Sequence, residues 1–192
     1  MTRIFDILFS FIGLLILSPV ILVLLLIGLV DTGSPLFRQE RVGVNQRPFK
    51  VLKFRSMHVN TQAVATHLVQ VSAITKWGSF LRKSKLDELP QLFNVLIGDM
   101  SIIGPRPEVK KYVDLYTDEQ RTILNVKPGI TDYASIEYFD ESRLLGESEN
   151  PEQTYVQEIM PAKLILNKKY LDNPTVFHDL KIIWLTFKKI IS

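Results

Sequence analysis

The sequence contains no cysteine and only three histidines among its 192 residues. The absence of cysteine excludes disulfides, zinc–thiolate sites and thiol nucleophiles. His58, His67 and His178 share no metal-ligand spacing, so we expect surface or packing roles for them. Glycine-rich nucleotide loops are also missing, since neither a Walker nor a Rossmann pattern occurs. Any chemistry must therefore rest on carboxylates, cations and backbone groups.

The chain carries an excess of positive charge, with a formal net charge of +3 and an isoelectric point near 9.0. This balance suits a partner that bears phosphate, such as a membrane surface, a nucleotide or a nucleic acid. The basic residues do not interleave with aromatic ones as they do in RNA-binding motifs, so we expect no nucleic-acid partner. The length is sufficient for one hydrophobic core after an apolar N-terminus.

An uncharged run extends from Ile7 to Val30 and reads "ILFSFIGLLILSPVILVLLLIGLV". As a helix it would measure about 36 Å, enough to cross a bilayer core of roughly 30 Å. It is too long for the apolar part of a signal peptide, and no small-residue cleavage site follows it. The run therefore predicts a membrane helix.

Two features oppose a simple transmembrane span. Ser18-Pro19 lies in the middle of the run, where proline should kink or break a helix. Positive charge, which marks the cytoplasmic side, lies both before the run at Arg3 and after it from Arg38 onward. A re-entrant helix bent at Ser18-Pro19 explains both features, but kinked spans are common, and the residues alone favour neither. We assign residues 1–33 to the membrane helix and residues 34–192 to one membrane-associated domain.

The segment after the apolar run predicts a β-hairpin from Leu36 to Phe54, because Gly43, Asn45 and Pro48 punctuate extended flanks rich in valine and phenylalanine. Residues 59–72 predict a loop or a short helix. An amphipathic helix should follow and end at Gly98.

The C-terminal half predicts a rigid turn at "GPRP", a helix that runs to about Leu124, and a mobile acidic loop at residues 140–151. Two further helices are expected at about 161–171 and 175–191. The last of them has an apolar stripe that suits either core packing or a membrane interface. The stripe comprises Leu180, Ile183, Trp184, Phe187 and Ile191.

Asp87 and Glu88 are adjacent carboxylates, and Pro90 requires the following helix to begin close to them. Helix capping is the simplest explanation, because "SKLD" from Ser84 matches a capping box. Nearby cations favour a chemical role instead, since we expect them to keep the carboxylates ionised. These cations are Arg82, Lys83 and Lys85. An ionised aspartate can attack phosphorus when magnesium and arginine offset the repulsion between anions.

Arg106 is flanked by Pro105 and Pro107. Both prolines have a fixed φ angle, so little backbone entropy remains to be lost when the guanidinium binds a phosphate. The alternative is a surface turn with an incidental arginine.

Four segments in this order resemble the bacterial sugar transferase family, specifically its small monotopic phosphoglycosyl transferases, which act on polyprenol phosphate. The segments are "RIFDILFS" with the later Ser18-Pro19, "PLFRQERVGVNQRPFKVLKFRSM", "FLRKSKLDELPQLFNVLIGDMSIIGPRP" and "VKPGIT". The resemblance covers nearly the whole chain. It implies an α+β, mostly helical fold. In this fold a re-entrant membrane helix kinked at Ser18-Pro19, a small β-hairpin and amphipathic interfacial helices surround one cytoplasmic catalytic domain.

The resemblance also implies a reaction. A sugar-1-phosphate passes from a UDP-sugar to undecaprenyl phosphate through a covalent aspartyl-phosphosugar intermediate, and UMP is released. This is the first membrane step in the synthesis of a bacterial capsule, O-antigen, exopolysaccharide or glycoprotein glycan. The enzyme would lie on the cytoplasmic face of the inner membrane, among membrane lipids. Downstream glycosyltransferases and a second copy in a homodimer are candidate partners. The alternative is an inactive membrane-anchored scaffold of the same fold.

By the same resemblance, Asp87 and Glu88 form a catalytic dyad. Asp87 is the nucleophile and the ligand of Mg²⁺, and Glu88 helps to prepare or orient the acceptor phosphate. The implied substrate-binding residues are Lys53, Arg55, Arg82, Pro105, Arg106, Pro107 and Thr131. The chain departs from the usual family pattern after "VKPGIT", where many members have a glycine and soon a glutamine. Asp132, Tyr133 and Ser135 stand there instead, so the resemblance does not identify the donor sugar.

Overall fold

The computed structural model describes residues 3–61 and 73–191, which form a mostly helical chain with two small sheets. The helices are α1 (Arg3–Thr32), α2 (Lys76–Lys83), α3 (Gln91–Ile97), α4 (Lys110–Val113), α5 (Asp118–Arg121), α6 (Tyr133–Glu137), α7 (Glu141–Gly146), α8 (Pro151–Thr154), α9 (Met160–Leu171) and α10 (Val176–Ile191). The strands are β1 (Leu36–Val42), β2 (Pro48–Phe54), β3 (Ser101–Ile103) and β4 (Gly129–Thr131). Of the predicted loop or short helix at 59–72, residues 62–72 lie outside the described residues.

Helix α1 is one helix of 30 residues with Pro19 inside it. The Ser18 hydroxyl donates to the Leu15 carbonyl at 2.8 Å. This carbonyl is the one that the missing N–H of Pro19 leaves without its usual partner. Within the described residues, α1 is the one helix long and apolar enough to cross a membrane, with a mean hydropathy of 3.0 over 18 residues. Its re-entrant path stays a prediction.

The N-terminal end of α1 is attached to the rest of the chain by polar contacts. Asp6 is buried and accepts hydrogen bonds from the Ser101 hydroxyl at 2.9 Å and the Ile102 amide at 3.0 Å. Arg3 donates to two carbonyls at the C-terminal end of α3, where a cation also complements the helix dipole. These contacts place the first turns of α1 against α3 and β3.

The predicted hairpin is confirmed. Strand β1 pairs antiparallel with β2, with Leu36 opposite Phe54 and Val42 opposite Pro48. The side chain of Asn94 on α3 then fixes the position of β2. Its Oδ1 accepts from the amide of Leu52 and its Nδ2 donates to the carbonyl of Lys50, both at 2.9 Å. The hairpin is thereby held beside the acidic turn that precedes α3.

The parallel pair β3–β4 was not predicted, because strands of three residues are too short to show the alternation of apolar and polar residues. Ser101 is paired with Gly129, and Ile103 with Thr131. Gly129 lies so close to Gly104 that a Cβ atom there would be 2.1 Å from the Gly104 nitrogen. Only glycine allows this approach. The pairing brings the "GPRP" turn beside "KPGIT", two segments well separated in sequence.

The prediction of a capping box at Ser84 is wrong. Ser84 ends α2, and its hydroxyl donates to the Phe80 carbonyl at 2.8 Å. The acidic residues lie in a separate 3₁₀ turn, Leu86–Glu88, and Pro90 precedes the first residue of α3. The end of this helix at Gly98 is confirmed, with φ of 102°. A proline that cannot donate a backbone hydrogen bond separates the turn from the helix.

The predicted helix that runs to Leu124 is also wrong, since α4, α5 and a 3₁₀ turn share that segment. Thr117 begins α5 with a capping box, which starts a new helix after a bend. The expected loop at 140–151 contains α7. The two C-terminal helices are confirmed as α9 and α10.

The largest core cluster lies between β1, α4 and α9, where Tyr112 and Tyr155 meet edge to face at 4.9 Å between ring centroids. Helix α10 packs on a second cluster, formed with Ile103 of β3 and Tyr170 of α9, through Ile182, which is fully buried. Most of its predicted apolar stripe is exposed, including 60% of Trp184 and 64% of Phe187. Core packing is therefore the wrong explanation of that stripe.

Candidate active site

The acidic pair occupies a tight turn between α2 and α3. Lys85 adopts a left-handed conformation, with φ of 55°, which redirects the chain after α2. Pro90 then fixes the entry into α3. Two adjoining cavities lie beside this turn. Glu88 lines both of them, whereas Asp87 lines only one.

Glu88 is a paired carboxylate. Nη1 of Arg106 donates to its Oε2 at 2.8 Å, Nη2 donates to its Oε1, and Lys53 Nζ lies 3.2 Å from Oε1. Burial by itself raises the pKa of Glu88, but Arg106 and Lys53 more than offset this and hold that pKa well below its usual range. Glu88 is thus ionised and bonded on both oxygens.

Asp87 is buried and has no partner among the residues that the structure describes. Its residue is 7% exposed, and within residues 3–61 and 73–191 its carboxylate makes no hydrogen bond or ion pair. Burial raises the pKa of Asp87, Lys53 partly offsets this, and the charge of Glu88 raises it further. At Asp87 desolvation thus outweighs the nearby cations in setting the direction of the pKa shift, whereas at Glu88 the cations prevail. The two adjacent acids therefore differ in pKa and in availability, a separation typical of distinct catalytic roles.

The cavity that Asp87 lines has a volume of about 440 Å³ and a cationic wall. Its basic residues are Lys53, Arg55, Arg82, Lys83, Lys85 and Arg143. These residues lie on β2, α2 and α7 and in the segments that directly follow β2 and α2. Three carboxylates, Asp87, Glu88 and Asp140, line the same cavity, so positive charge is in excess. A concave surface with an excess of one charge concentrates counter-ions, so we name it the cationic cavity and expect it to attract phosphate groups.

Two of the predicted phosphate-binding arginines also form hydrogen bonds within the protein. Arg82 donates from Nε to the Ser56 hydroxyl at 2.9 Å. Burial lowers the pKa of Arg82, which the charge of Asp87 partly counters. Arg55 donates to the Ser34 carbonyl at 2.8 Å and stacks over the Phe37 ring. Both line the cationic cavity, and their contact with substrate stays a prediction.

The turn around Arg106 is tied to the segment after β4. The Pro105 carbonyl accepts from the Gly129 amide at 3.0 Å, and the Arg106 amide donates to Asp132 at 3.3 Å. The guanidinium donates to the Ile130 carbonyl at 3.1 Å besides its two bonds to Glu88. An incidental surface arginine would make none of these contacts, so that alternative is wrong.

Pro107 and Thr131 lie on the wall of the second cavity, of about 510 Å³, which we name the crevice. The Thr131 hydroxyl is hydrogen-bonded to that of Thr186 on α10 at 2.8 Å. The Pro107 carbonyl accepts from Arg41 at 3.4 Å. Every predicted site residue except Pro105 thus lines one of the two cavities, and Pro105 shapes the turn behind them.

Three residues of the site escaped the sequence predictions. Asp132 caps α6 by accepting from the Ser135 amide at 2.6 Å, a role that its position three residues before a serine could have indicated. Gln91 and Asn167 are buried on the crevice wall, and each has an amide atom without a partner in the described part of the chain. Nothing in the local sequence signals either amide.

The residues fit a magnesium ion that arrives with its phosphates better than a preformed metal centre. In residues 3–61 and 73–191, no group of three or more metal-binding side chains converges. Mg²⁺ needs only one or two carboxylates when substrate phosphates supply further oxygens. Asp87 offers such a carboxylate, while both oxygens of Glu88 are occupied by cations.

Comparison with known proteins identifies relatives that match nearly the whole chain. A relative from Bacillus subtilis, the uncharacterized sugar transferase EpsL, is 37% identical over 190 residues, covering 98% of this chain and 86% of its own length. The UDP-glucose:undecaprenyl-phosphate glucose-1-phosphate transferase of Escherichia coli is 37% identical over 96% of this chain. A UDP-N-acetylgalactosamine-undecaprenyl-phosphate N-acetylgalactosaminephosphotransferase of Aeromonas hydrophila is 34% identical over 97% of it.

The chain spans only 39% of the length of the E. coli relative and 43% of that of the A. hydrophila relative. In both cases the match nevertheless covers nearly all of this chain. The sequence model of the bacterial sugar transferases matches residues 1–192. The chain belongs to the bacterial sugar transferase family.

Proposed function

We propose that this protein is a phosphoglycosyl transferase that moves a sugar-1-phosphate from a UDP-sugar to undecaprenyl phosphate. The observation that carries the proposal is the buried carboxylate of Asp87 at the wall of the cationic cavity, which has no hydrogen-bond or ion-pair partner among residues 3–61 and 73–191. The names of the E. coli and A. hydrophila relatives supply the two substrate classes.

In the first step, a carboxylate oxygen of Asp87 attacks the phosphorus that bears the sugar. The bond from this phosphorus to the bridging oxygen breaks, and UMP leaves with that oxygen. The enzyme then holds the sugar-1-phosphate as an acyl phosphate. Lys53, Arg82 and Lys85 surround Asp87 and reduce the repulsion between the carboxylate and the diphosphate.

In the second step, a phosphate oxygen of the lipid attacks the same phosphorus. The acyl–phosphate bond breaks, so Asp87 is restored and a lipid diphosphate sugar is released. The attacking phosphate is already anionic near neutral pH and needs no strong base. Glu88 suits a positioning role, because its low pKa makes it a weak base and its bonds orient Arg106 and Lys53.

Magnesium would be held by Asp87 together with the substrate phosphates. When bound, the ion neutralises charge on the diphosphate and so favours departure of UMP. The protein residues themselves orient the diphosphate through the cationic cavity and hold the attacking carboxylate in place.

Trapping the intermediate tests the proposal. The purified protein is incubated with Mg²⁺ and a panel of UDP-sugars in the absence of lipid acceptor. We expect release of about one equivalent of UMP and a mass increase of one sugar phosphate, mapped to Asp87 by mass spectrometry. Addition of undecaprenyl phosphate should discharge the adduct. UMP release only in the presence of acceptor, with no modified enzyme, would indicate direct transfer, and no UMP release with any donor would support the inactive scaffold.

We further propose that the protein is bound to the cytoplasmic face of the bacterial inner membrane, with α1 re-entering on the side from which it entered. Exposed apolar side chains of α10, such as Trp184 and Phe187, would lie in the interface, with Lys181 and Lys188 near the lipid phosphates.

Tags at the two termini test this topology in sealed cells. We expect both tags to be shielded from an added protease or an impermeant label. Accessibility of the N-terminal tag alone would show that α1 spans the membrane. Lysed cells provide the control that both tags can react.

A further inference from the structure

The cationic cavity and the crevice share a boundary that five residues line. Three of them are Lys53 of β2 and the residues Lys85 and Glu88 of the turn before α3. The other two are Phe139, in the segment that joins α6 to α7, and Ser142 in the first turn of α7. A side chain on this boundary therefore faces both cavities.

The second step of the proposed reaction requires two phosphates to meet. The sugar phosphate is held on Asp87, which lines the cationic cavity but not the crevice. The lipid approaches from the crevice, because α1, the predicted membrane helix, supplies an apolar wall of that cavity through Phe9, Gly13 and Leu17. Both phosphates are anionic, so a cation that faces both cavities is best placed to reduce their repulsion.

Lys85 is the more available of the two boundary lysines. Lys53 Nζ lies 3.2 Å from Glu88 Oε1, whereas Lys85 forms no ion pair within residues 3–61 and 73–191. The Lys85 ammonium instead lies 4.5 Å from the centroid of the Phe139 ring and 3.5 Å from the Phe139 carbonyl oxygen. Burial lowers the pKa of Lys85, which the charge of Glu88 partly offsets. Because the face of an aromatic ring favours the charged form of a lysine, Phe139 stabilises the ammonium without supplying a carboxylate that would compete with phosphate.

Hydrophobic packing explains Phe139 less well. Its side chain is half-buried, and it belongs to none of the hydrophobic clusters found among the described residues. A second ammonium, that of Lys189 on α10, lies 5.9 Å from the same ring centroid. The ring therefore contacts cations, as in a cation–π site, more than it contacts a core.

We infer that Phe139 is a positioning residue of the second step: it holds the Lys85 ammonium at the boundary, where that ammonium contacts both the phosphate on Asp87 and the phosphate of the lipid. The inference rests on the proposed function and adds a residue to it. The lipid oxygen forms the new bond to phosphorus, the acyl–phosphate bond breaks, and Lys85 stays protonated throughout. The first step depends less on Phe139, because Arg82 and Lys83 also line the cationic cavity and attract the donor diphosphate.

A two-stage assay separates the steps. The purified protein is first incubated with Mg²⁺ and a UDP-sugar that forms the adduct, free nucleotide is removed, and undecaprenyl phosphate is then added. Phe139→Leu removes the aromatic face but keeps an apolar side chain. We expect its rate of adduct discharge to fall roughly tenfold, its initial UMP release to fall much less, and its melting temperature to stay close to that of the wild type. Phe139→Tyr keeps the aromatic face and should discharge the adduct at nearly the wild-type rate.

A double variant tests whether Phe139 acts through Lys85. Lys85→Gln alone should slow both steps, since it removes the cation itself. In that background, Phe139→Leu should cause no further loss in the discharge rate, because the interaction that it removes is already absent. A residue with a merely structural role would instead reduce the rate by the same factor in both backgrounds.

Phe80→Leu is the matched control. Phe80 is 50% exposed on α2, lines neither cavity, and has no cation at its ring within the described part of the chain. We expect wild-type rates in both stages with this variant.

Each outcome either supports or overturns the inference. Three results would overturn it and leave the proposed function intact: wild-type discharge in Phe139→Leu, equally slow discharge in Phe139→Tyr, or equal losses with and without Lys85. A large fall in the melting temperature of Phe139→Leu would assign Phe139 to packing and would also overturn it. A wild type that forms no adduct with any donor would refute the proposed function, and the inference with it.

Discussion

The Asp87→Asn variant is expected to lose UMP release by a factor on the order of 10⁴ or more, as for other catalytic nucleophiles. Asparagine keeps the shape of the side chain but cannot form the acyl phosphate. The variant should show no covalent adduct. It should also be at least as stable as the wild type, because the substitution removes a buried carboxylate that has no hydrogen-bond partner in the described residues.

Asp172→Asn is a suitable control, since Asp172 is an exposed aspartate at the end of α9. It should leave UMP release and thermal stability nearly unchanged. Retention of full activity in Asp87→Asn would contradict the nucleophile assignment. Loss of activity together with a large fall in melting temperature would contradict the claim that Asp87 has no structural partner in the described part of the chain.

The pH dependence of the wild type should report the same carboxylate. Burial raises the pKa of Asp87 above its usual range, so UMP release in a single turnover should fall as the pH drops through that raised value. The contribution of Asp87 to the free energy of unfolding should instead increase as the pH falls. The ionised group opposes folding above the folded-state pKa, and protonation removes this penalty. The stability difference between wild type and Asp87→Asn should therefore shrink on acidification.

The Glu88→Gln variant should be destabilised by about 3 kcal/mol, because it leaves Arg106 and Lys53 without their shared counter-charge in a mostly buried site. For a chain of this size the melting temperature should fall by roughly 6–12 °C. Donor turnover should fall as well, since the two cations lose their orientation. Denaturant unfolding in detergent measures the stability change, and UMP release measures the activity.

A double variant separates pairing from chemistry. Glu88→Gln combined with Arg106→Gln should destabilise less than the sum of the two single changes, because neither partner is then left as an isolated charge. Asp114→Asn breaks an exposed pair with Lys110 and should cost less than about 0.5 kcal/mol. If Glu88→Gln were as stable as the wild type yet inactive, Glu88 would act directly on the substrate instead of positioning the cations.

Local patterns determined most elements of secondary structure. The apolar run predicted α1, the punctuated valine-rich and phenylalanine-rich flanks predicted the β1–β2 hairpin, and Asn173-Pro174 separated α9 from α10. Each of these signals lies within the element that it predicts. The wrong helix predictions occurred where a short turn interrupts a helix, as before α3 and after α4. The spacing of apolar residues alone does not detect such a break.

Sequence by itself also determined the chemistry available to this protein: no thiol, no histidine cluster, and an acidic pair beside many cations. Only the tertiary structure decided which acid is paired and which has no partner within residues 3–61 and 73–191. Glu88 meets Arg106 across 18 residues and Lys53 across 35, contacts that no local pattern encodes. The β3–β4 pairing and the burial of Asn167 were likewise decided by packing between distant segments, because desolvation and charge depend on neighbours in space and not on neighbours in sequence.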